Sequence, residues 1–166
     1  SEKLREINTL MKTYNLLENS EFAQEVGKSS RLIGIDPGKK NIGVAICDSS
    51  HIIATPYETI KVDKLKNVIE KLNKIILENE IKGIVVGHPI NMDGSEGRRS
   101  QSTKDFVKNI LKFISLPVTL WDERLSSEGA FKSMEKLNIN SSSKKERLDE
   151  NSAAFILQGF IDYLNK

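Results

Sequence analysis

Three carboxylates sit where apolar runs end or where a buried helix face begins, and such positions can do hydrolytic chemistry. Asp36 closes the run Leu32-Ile33-Gly34-Ile35 and is followed at once by Pro37-Gly38, a turn-forming pair. Glu123 follows the apolar run Val118-Thr119-Leu120-Trp121. Its neighbour Asp122 alternates to the opposite face of a strand, so one acid of that pair faces any common site. Asp149 precedes Ala153, Ile156 and Phe160 by four, seven and eleven residues, the spacing of one helix face. A carboxylate at the head of a buried stripe is costly unless paired or bound to a cation. Structural readings stay open beside the functional ones: Asp36 as a turn former, and Asp149 as a helix N-cap, a role compatible with ligation.

Acids from three separated segments suit hard divalent cations, Mg²⁺ or Mn²⁺, which prefer oxygen ligands and keep water in their coordination shell. With only His51, His88 and Cys47 available, no zinc set exists. Two such ions could activate a water and stabilise the leaving oxygen in phosphodiester cleavage.

The elements that must position these acids follow from periodicity. Strands are expected over 31–36, 41–47 and about 51–60, with Pro56 marking a bulge or an edge. Leu65, Val68, Ile69, Leu72, Ile75 and Ile76 define an amphipathic helix of about sixteen residues. Ile84-Val85-Val86-Gly87 is a short apolar strand of the buried, parallel type. The loop His88–Glu96 leads into a helix carrying Phe106, Ile110, Phe113 and Ile114. Pro117–Trp121 is another strand, and a helix is expected from Ser126 to about Leu137. Asn138–Lys145 reads as a mobile polar loop before a last helix from about Asp149 to Leu164. Three antiparallel strands followed by alternating helices and strands give an α/β fold, a mixed five-stranded sheet with helices on both faces.

Residues 1–30 read as a separate N-terminal extension ahead of a domain over 31–166. Leu4, Ile7, Leu10 or Met11, Tyr14 and Leu17 have helical spacing, Asn19-Ser20 is expected to break that helix ahead of a short second turn over Glu21–Val26, and Gly27–Ser30 reads as a linker. The extension is a helix packed on the domain or on a second copy, or else a partner-binding arm.

Composition narrows the setting. With 166 residues and 38% apolar content the chain is one globular domain, and a single cysteine fits a reducing, cytosolic home. No apolar run is long enough to span a membrane, and the start lacks the apolar core of a signal peptide. The net charge of +2, from 25 basic and 23 acidic residues, neither demands nor excludes nucleic acid, so recognition rests on local basic clusters.

Four motifs then converge: Gly34-Ile-Asp36-Pro-Gly38-Lys-Lys-Asn-Ile-Gly43, Val85-Val-Gly87-His-Pro89-Ile-Asn91-Met-Asp93-Gly94, Leu120-Trp-Asp122-Glu123-Arg124-Leu-Ser126, and Leu148-Asp149 before Ala153-Ala154 and Gln158-Gly159. In this order they closely resemble the YqgF family of bacterial RNase H-like nucleases, over about residues 31–165. That family is described both as Holliday junction resolvases and as pre-16S rRNA nucleases. The resemblance implies an RNase H-like fold and a metal-dependent triad of Asp36, Glu123 and Asp149, the same three acids. It also implies 5′-end processing of pre-16S rRNA in ribosome biogenesis, ahead of junction resolution in DNA repair. Two positions depart from its pattern. Asn41 stands where a basic residue is usual, with Lys39 and Lys40 beside it to compensate. His88 stands where an apolar residue is usual; it either assists proton transfer or is a hydrogen-bonded loop residue.

Substrate contacts are expected from the loop Asn91–Arg99, where Gly94 and a helix N-terminus capped by Asp93 or Ser95 suit phosphate, and Arg98 and Arg99 add charge. Lys144, Lys145 and Arg147 form a second basic cluster. Arg124 either orients Glu123 or contacts phosphate, and Trp121 reads as core. The expected partners are pre-16S rRNA or branched DNA, with the ribosomal particle as a further one, and the expected state is a monomer or weak homodimer. Two other classes compete: a sugar-kinase or actin-like phosphotransferase, which needs two such domains, and a non-catalytic nucleic-acid-binding module, which has no need of three acids.

Overall fold

The computed structural model of the chain describes residue 2 and residues 15–90, 93–125 and 144–166, with 144–150 as backbone only. The expected helix over Leu4–Leu17 lies outside the described residues up to residue 14 and is not helical at residues 15–17, and the helix expected over Ser126–Leu137 lies outside them.

Five strands form one sheet: β1 (Arg31–Pro37), β2 (Asn41–Cys47), β3 (Ala54–Lys61), β4 (Ile81–His88) and β5 (Val118–Asp122), in the spatial order β3-β2-β1-β4-β5. β1 pairs antiparallel with β2, and β2 with β3, whereas β4 runs parallel to both β1 and β5. The mixed sheet expected from the sequence is therefore present. β1 is the central strand of the sheet, and its Leu32, Ile33, Gly34 and Ile35 are all buried, which is why that run carries no alternation.

Helices cover both faces. On one face α2 (Leu65–Glu78) and α3 (Arg98–Phe113) pack with Ile33, Ile35, Val44 and Val86 around one apolar cluster. On the other, α1 (Asn19–Val26) and α4 (Lys144–Leu164) pack with Leu32, Ala45, Val85 and Trp121. Trp121 is core, edge-on to Phe160 at 5.7 Å. β3 is an edge strand whose register shifts against Val44 and Ala45, opposite Pro56 and Glu58, so the proline marks both a bulge and an edge.

Several boundaries differ from the sequence reading. β3 starts at Ala54 because Asp48 Oδ1 accepts from the N–H groups of Ile52 and Ile53 at 2.9 Å and closes a turn. β4 is longer than expected at both ends, from buried Ile81 to buried His88. Phe113 is exposed; the buried face of α3 is Ser100, Thr103, Val107 and Ile110. Lys144 and Lys145 belong to α4, not to a loop.

Residues 15–18 are not helical, and Asn19 and Ser20 begin α1, which contains the short turn expected over Glu21–Val26. Phe22 on α1 is fully buried, edge-on to Phe160 at 5.3 Å. A side chain on Gly83 would collide with it, since a Cβ there would stand 2.6 Å from Phe22 Cζ. Upstream, Val118 N–H donates to Asn15 O at 2.7 Å and Leu17 N–H donates to Val118 O at 2.8 Å, shielding the start of the edge strand β5. Residues 15–26 are thus built into the same core as the sheet. No helix among the described residues is long and apolar enough to cross a membrane.

Candidate active site at the carboxyl edge of the sheet

The parallel pairing brings the carboxyl ends of β1, β4 and β5 to one edge, the place where ligands bind in open α/β sheets. Asp36 is the penultimate residue of β1, and Glu123 is the first residue after β5, in a short 3₁₀ turn over Glu123–Leu125. Between their strands lies β4, in register Ile35↔Val86 and Gly87↔Trp121. Gly87 is what lets Glu123 approach: a Cβ there would stand 3.0 Å from Glu123 Oε1 and would also strike the Ile156 side chain. Gly34 shows which helix lies on this face, since a Cβ there would be 2.7 Å from Leu157 Cβ on α4. Asp36 shares that face of β1 by the two-residue period.

The electrostatics match this proximity. Burial pushes the Glu123 carboxyl above its ordinary 4.5, the charge of Asp36 pushes it further, and Arg99 opposes both. Arg99 Nη2 lies 4.0 Å from Asp36 Oδ1 while remaining largely exposed. One arginine thus faces two carboxylates held against their own repulsion, an arrangement that favours a bound cation.

α4 begins at Lys144, so Asp149 lies inside the helix and the N-cap reading fails. Its backbone stands one turn before Ala153, whose carbonyl oxygen approaches Gly34 of β1. The side chain of Asp149 lies outside the described residues, as do those of Lys144, Lys145 and Arg147 and the whole of Asn91.

Residues 30–163 match the family of RuvX, Holliday junction resolvases. The chain belongs to this family. A Pelagibacter ubique protein named as a candidate pre-16S rRNA nuclease is 53% identical over 135 residues, covering 81% of this chain and 89% of the relative. A Rhodobacter capsulatus protein of the same name is 43% identical over 144 residues, covering 87% and 91%. Among solved structures, Thermus thermophilus RuvC in complex with a Holliday junction superposes with a TM-score of 0.55 at 13% identity, over 81% of this chain and 95% of that one. That likeness establishes the RNase H-like resolvase fold. As a RuvX member the chain is a nuclease, a hydrolase that acts on nucleic acid.

The basic residues of this RuvX chain divide into three groups. Lys39 and Arg99 line one cleft beside Asp36, with Lys40 exposed in the same β1–β2 turn. Arg98 is exposed at the first position of α3. Arg124, expected either to orient Glu123 or to contact phosphate, donates from Nη2 to Asp122 Oδ2 at 2.7 Å and so orients that neighbouring acid. Its guanidinium holds the Asp122 carboxyl below the usual range and lies beside Gly94, which has φ 87°.

Neither Asp93 nor Ser95 caps α3. Gly97 is the N-cap and no side chain caps it. Asp93 Oδ1 instead accepts from Ser95 N–H at 2.9 Å and Ser95 Oγ–H at 2.6 Å, and a bridge between Ile90 and Glu96 closes the loop. His88 is a hydrogen-bonded structural residue: its Nε2 meets Ser100 Oγ at 2.6 Å, with Glu96 Oε1 at 3.7 Å. Burial holds its pKa below 6.5, and Lys104 Nζ donates to Glu96 at 2.6 Å on the far side. This link ties the end of β4 to the first turn of α3, which carries Arg99. Ser100 was invisible to sequence reasoning; a serine three residues into a polar helix start gives no sign that it is buried. Gly87 could have been found, since a glycine inside an apolar strand often marks close approach by another group.

Proposed function

We propose that this chain is a divalent-metal-dependent nuclease that trims the 5′ leader of pre-16S rRNA. The observation that carries the reading is the convergence of Asp36 and Glu123 at one edge of the sheet, where Gly87 leaves room for Glu123 and the charge of Asp36 adds to burial in raising its pKa. Two close oxygen donors that resist joint ionisation fit a hard cation such as Mg²⁺ or Mn²⁺, with Asp149 as the third ligand. A bound ion would lower the pKa of water and neutralise charge on the phosphate. The chain's own residues do the rest. Asp36 and Glu123 fix the acidic floor from two strands, and Arg99 places a positive charge above it for the phosphate oxygens. Lys39, Lys40 and Arg98 hold flanking phosphates, and Lys144, Lys145, Arg147 and the loop at Asn91 and Gly94 extend the same grip. In hydrolysis the water oxygen joins phosphorus, one P–O ester bond breaks, and the leaving oxygen takes a proton.

The rRNA assignment rests on the names of the relatives at 53% and 43% identity. Resolution of a Holliday junction is the second reading, favoured by the family description and by the RuvC-like fold. In the first reading the nuclease domain over 31–166 works in the cytosol, on the ribosomal particle, as a monomer. In the second it works as a weak homodimer, through the part of the N-terminal extension ahead of residue 15. Wild type and Asp36→Asn, each with Mg²⁺ and with Mn²⁺, are to be compared on a labelled 16S-precursor leader and on a mobile four-way junction. Cleavage of the leader that the variant lacks supports rRNA processing. Variant-sensitive cuts confined to the junction transfer the assignment to resolution.

A further inference from the structure

Beside Asp36, but on the α2–α3 face of the sheet, lies a cleft of about 400 Å³ that shares Lys39 and Arg99 with the acidic site. Its size falls in the range of small-molecule sites, roughly 300–1,000 Å³. Pro37 from the end of β1, Val62 and Leu65 from the β3–α2 connection and Phe106 from α3 give it apolar walls. Its polar lining includes Asp63, whose Oδ2 accepts from Asn67 Nδ2 at 3.0 Å, Asp105, whose Oδ1 accepts from Gln101 Nε2 at 3.2 Å, and Asn109, so each carboxylate keeps its second oxygen for a ligand. Arg99 and Lys39 stand at the end nearest Asp36. Arg99 therefore belongs to two places at once, since it lines the cleft and reaches to 4.0 Å from Asp36 Oδ1.

We propose that this cleft is a subsite for one unpaired nucleobase, guanine in preference to uracil, of the nucleotide adjoining the phosphate that is cut. The proposal rests on the nuclease reading and supplies its missing specificity. An apolar slot with an aromatic wall suits the face of a base, and unpaired bases are read on their edges. Carboxylates accept hydrogen bonds only, so the rim selects a base whose edge donates. Guanine offers N1–H and the N2 amino group to one carboxylate, whereas uracil offers a single N3–H. The phosphate of a nucleotide seated there falls to Arg99 and Lys39, which delivers its ester toward Asp36. Phe106, half-buried against the apolar cluster of α2 and α3, thus has a second use in a chain with only 6% aromatic residues.

The test is a titration of the full chain with 5′-GMP, 5′-UMP and ribose 5-phosphate, without divalent ions, read by the NMR shift of the Asn109 side-chain amide. The cleft predicts a saturable shift with 5′-GMP, at least five-fold tighter than with 5′-UMP, and no shift with ribose 5-phosphate. Asp105→Asn, an exposed position, should erase the preference, and Ser102→Trp, which fills the cleft, should abolish the shift. Equal affinity for all three compounds, or shifts confined to Lys39 and Arg99, overturns the subsite. Leader cleavage, measured separately, separates the two readings. Cleavage without the 5′-GMP response overturns the subsite and leaves the nuclease standing. The response without leader cleavage supports base binding in the cleft and removes the 16S leader as the substrate.

Discussion

The Glu123 carboxylate occupies space that any side chain on Gly87 would need, with its Oε1 3.0 Å from the position of the missing Cβ. The glycine in β4 is therefore part of how an acid from β5 reaches an acid on β1. Gly87→Ala should displace Glu123 and press on Ile156, costing about 1–3 kcal/mol by overpacking. Gly83→Ala, which collides with Phe22 instead, serves as the control. Chemical denaturation should show both variants destabilised, while cleavage per folded molecule falls only for Gly87→Ala.

Glu123 also sets a pH dependence. Its native pKa lies above 4.5, so the folded chain holds the proton more tightly than the unfolded chain does. That contribution is complete below pH 4.5 and is lost as pH rises through the native value. Without divalent ions, Glu123→Gln should therefore melt above wild type at neutral pH, and the difference should vanish near pH 4. Magnesium should narrow the gap by stabilising wild type alone, and the variant should not cleave. Thermal melts across pH, with and without Mg²⁺, decide this.

His88 titrates in the opposite sense. Its pKa is held below 6.5 by burial, so it favours folding above 6.5 and withdraws that support as pH falls through the native value. His88→Gln should flatten the loss of stability below pH 6.5. His88→Ala leaves the Ser100 hydroxyl buried without its imidazole partner, at a cost of about 1–3 kcal/mol. Because the link holds the first turn of α3, the alanine variant should also raise KM for RNA through Arg99 more than it lowers kcat. Urea midpoints at two pH values and steady-state kinetics check both statements.

Phe22 tests whether residues 15–26 belong to the domain. It is fully buried against Phe160, and Phe22→Ala should cost about 3–5 kcal/mol. A change under 1 kcal/mol in equilibrium unfolding would return this segment to the status of an appendage.

Much of this was legible because short-range pattern and burial agree. The run ending at Asp36, the stripe Ala153, Ile156 and Phe160, and Trp121 as core all follow from apolar spacing, and each is buried as its spacing requires. The failures lie where a long-range contact overrides local propensity. Asn19 and Ser20 look like helix breakers, yet Phe22 anchors their helix in the core. Phe113 has the composition of a core residue, but the turn of α3 points it to solvent while Ser100 and Thr103 go inside. Asp93 has the chemistry of a helix cap and spends it on its own loop, bonding Ser95. The pairing of Arg124 with Asp122 rather than Glu123 depends on which way a 3₁₀ turn leaves β5, and no periodicity reports that.

The central claim is that Asp36 carries metal-dependent cleavage and is not merely a turn former. The direct test is the single-turnover rate of leader cleavage in Mg²⁺ for wild type and Asp36→Asn, with RNA binding measured alongside in Ca²⁺. The variant should lose at least about 100-fold in rate, on the order of 3 kcal/mol in the barrier, with its RNA affinity little changed. An Asp36→Asn protein that binds and cuts at the wild-type rate would contradict it.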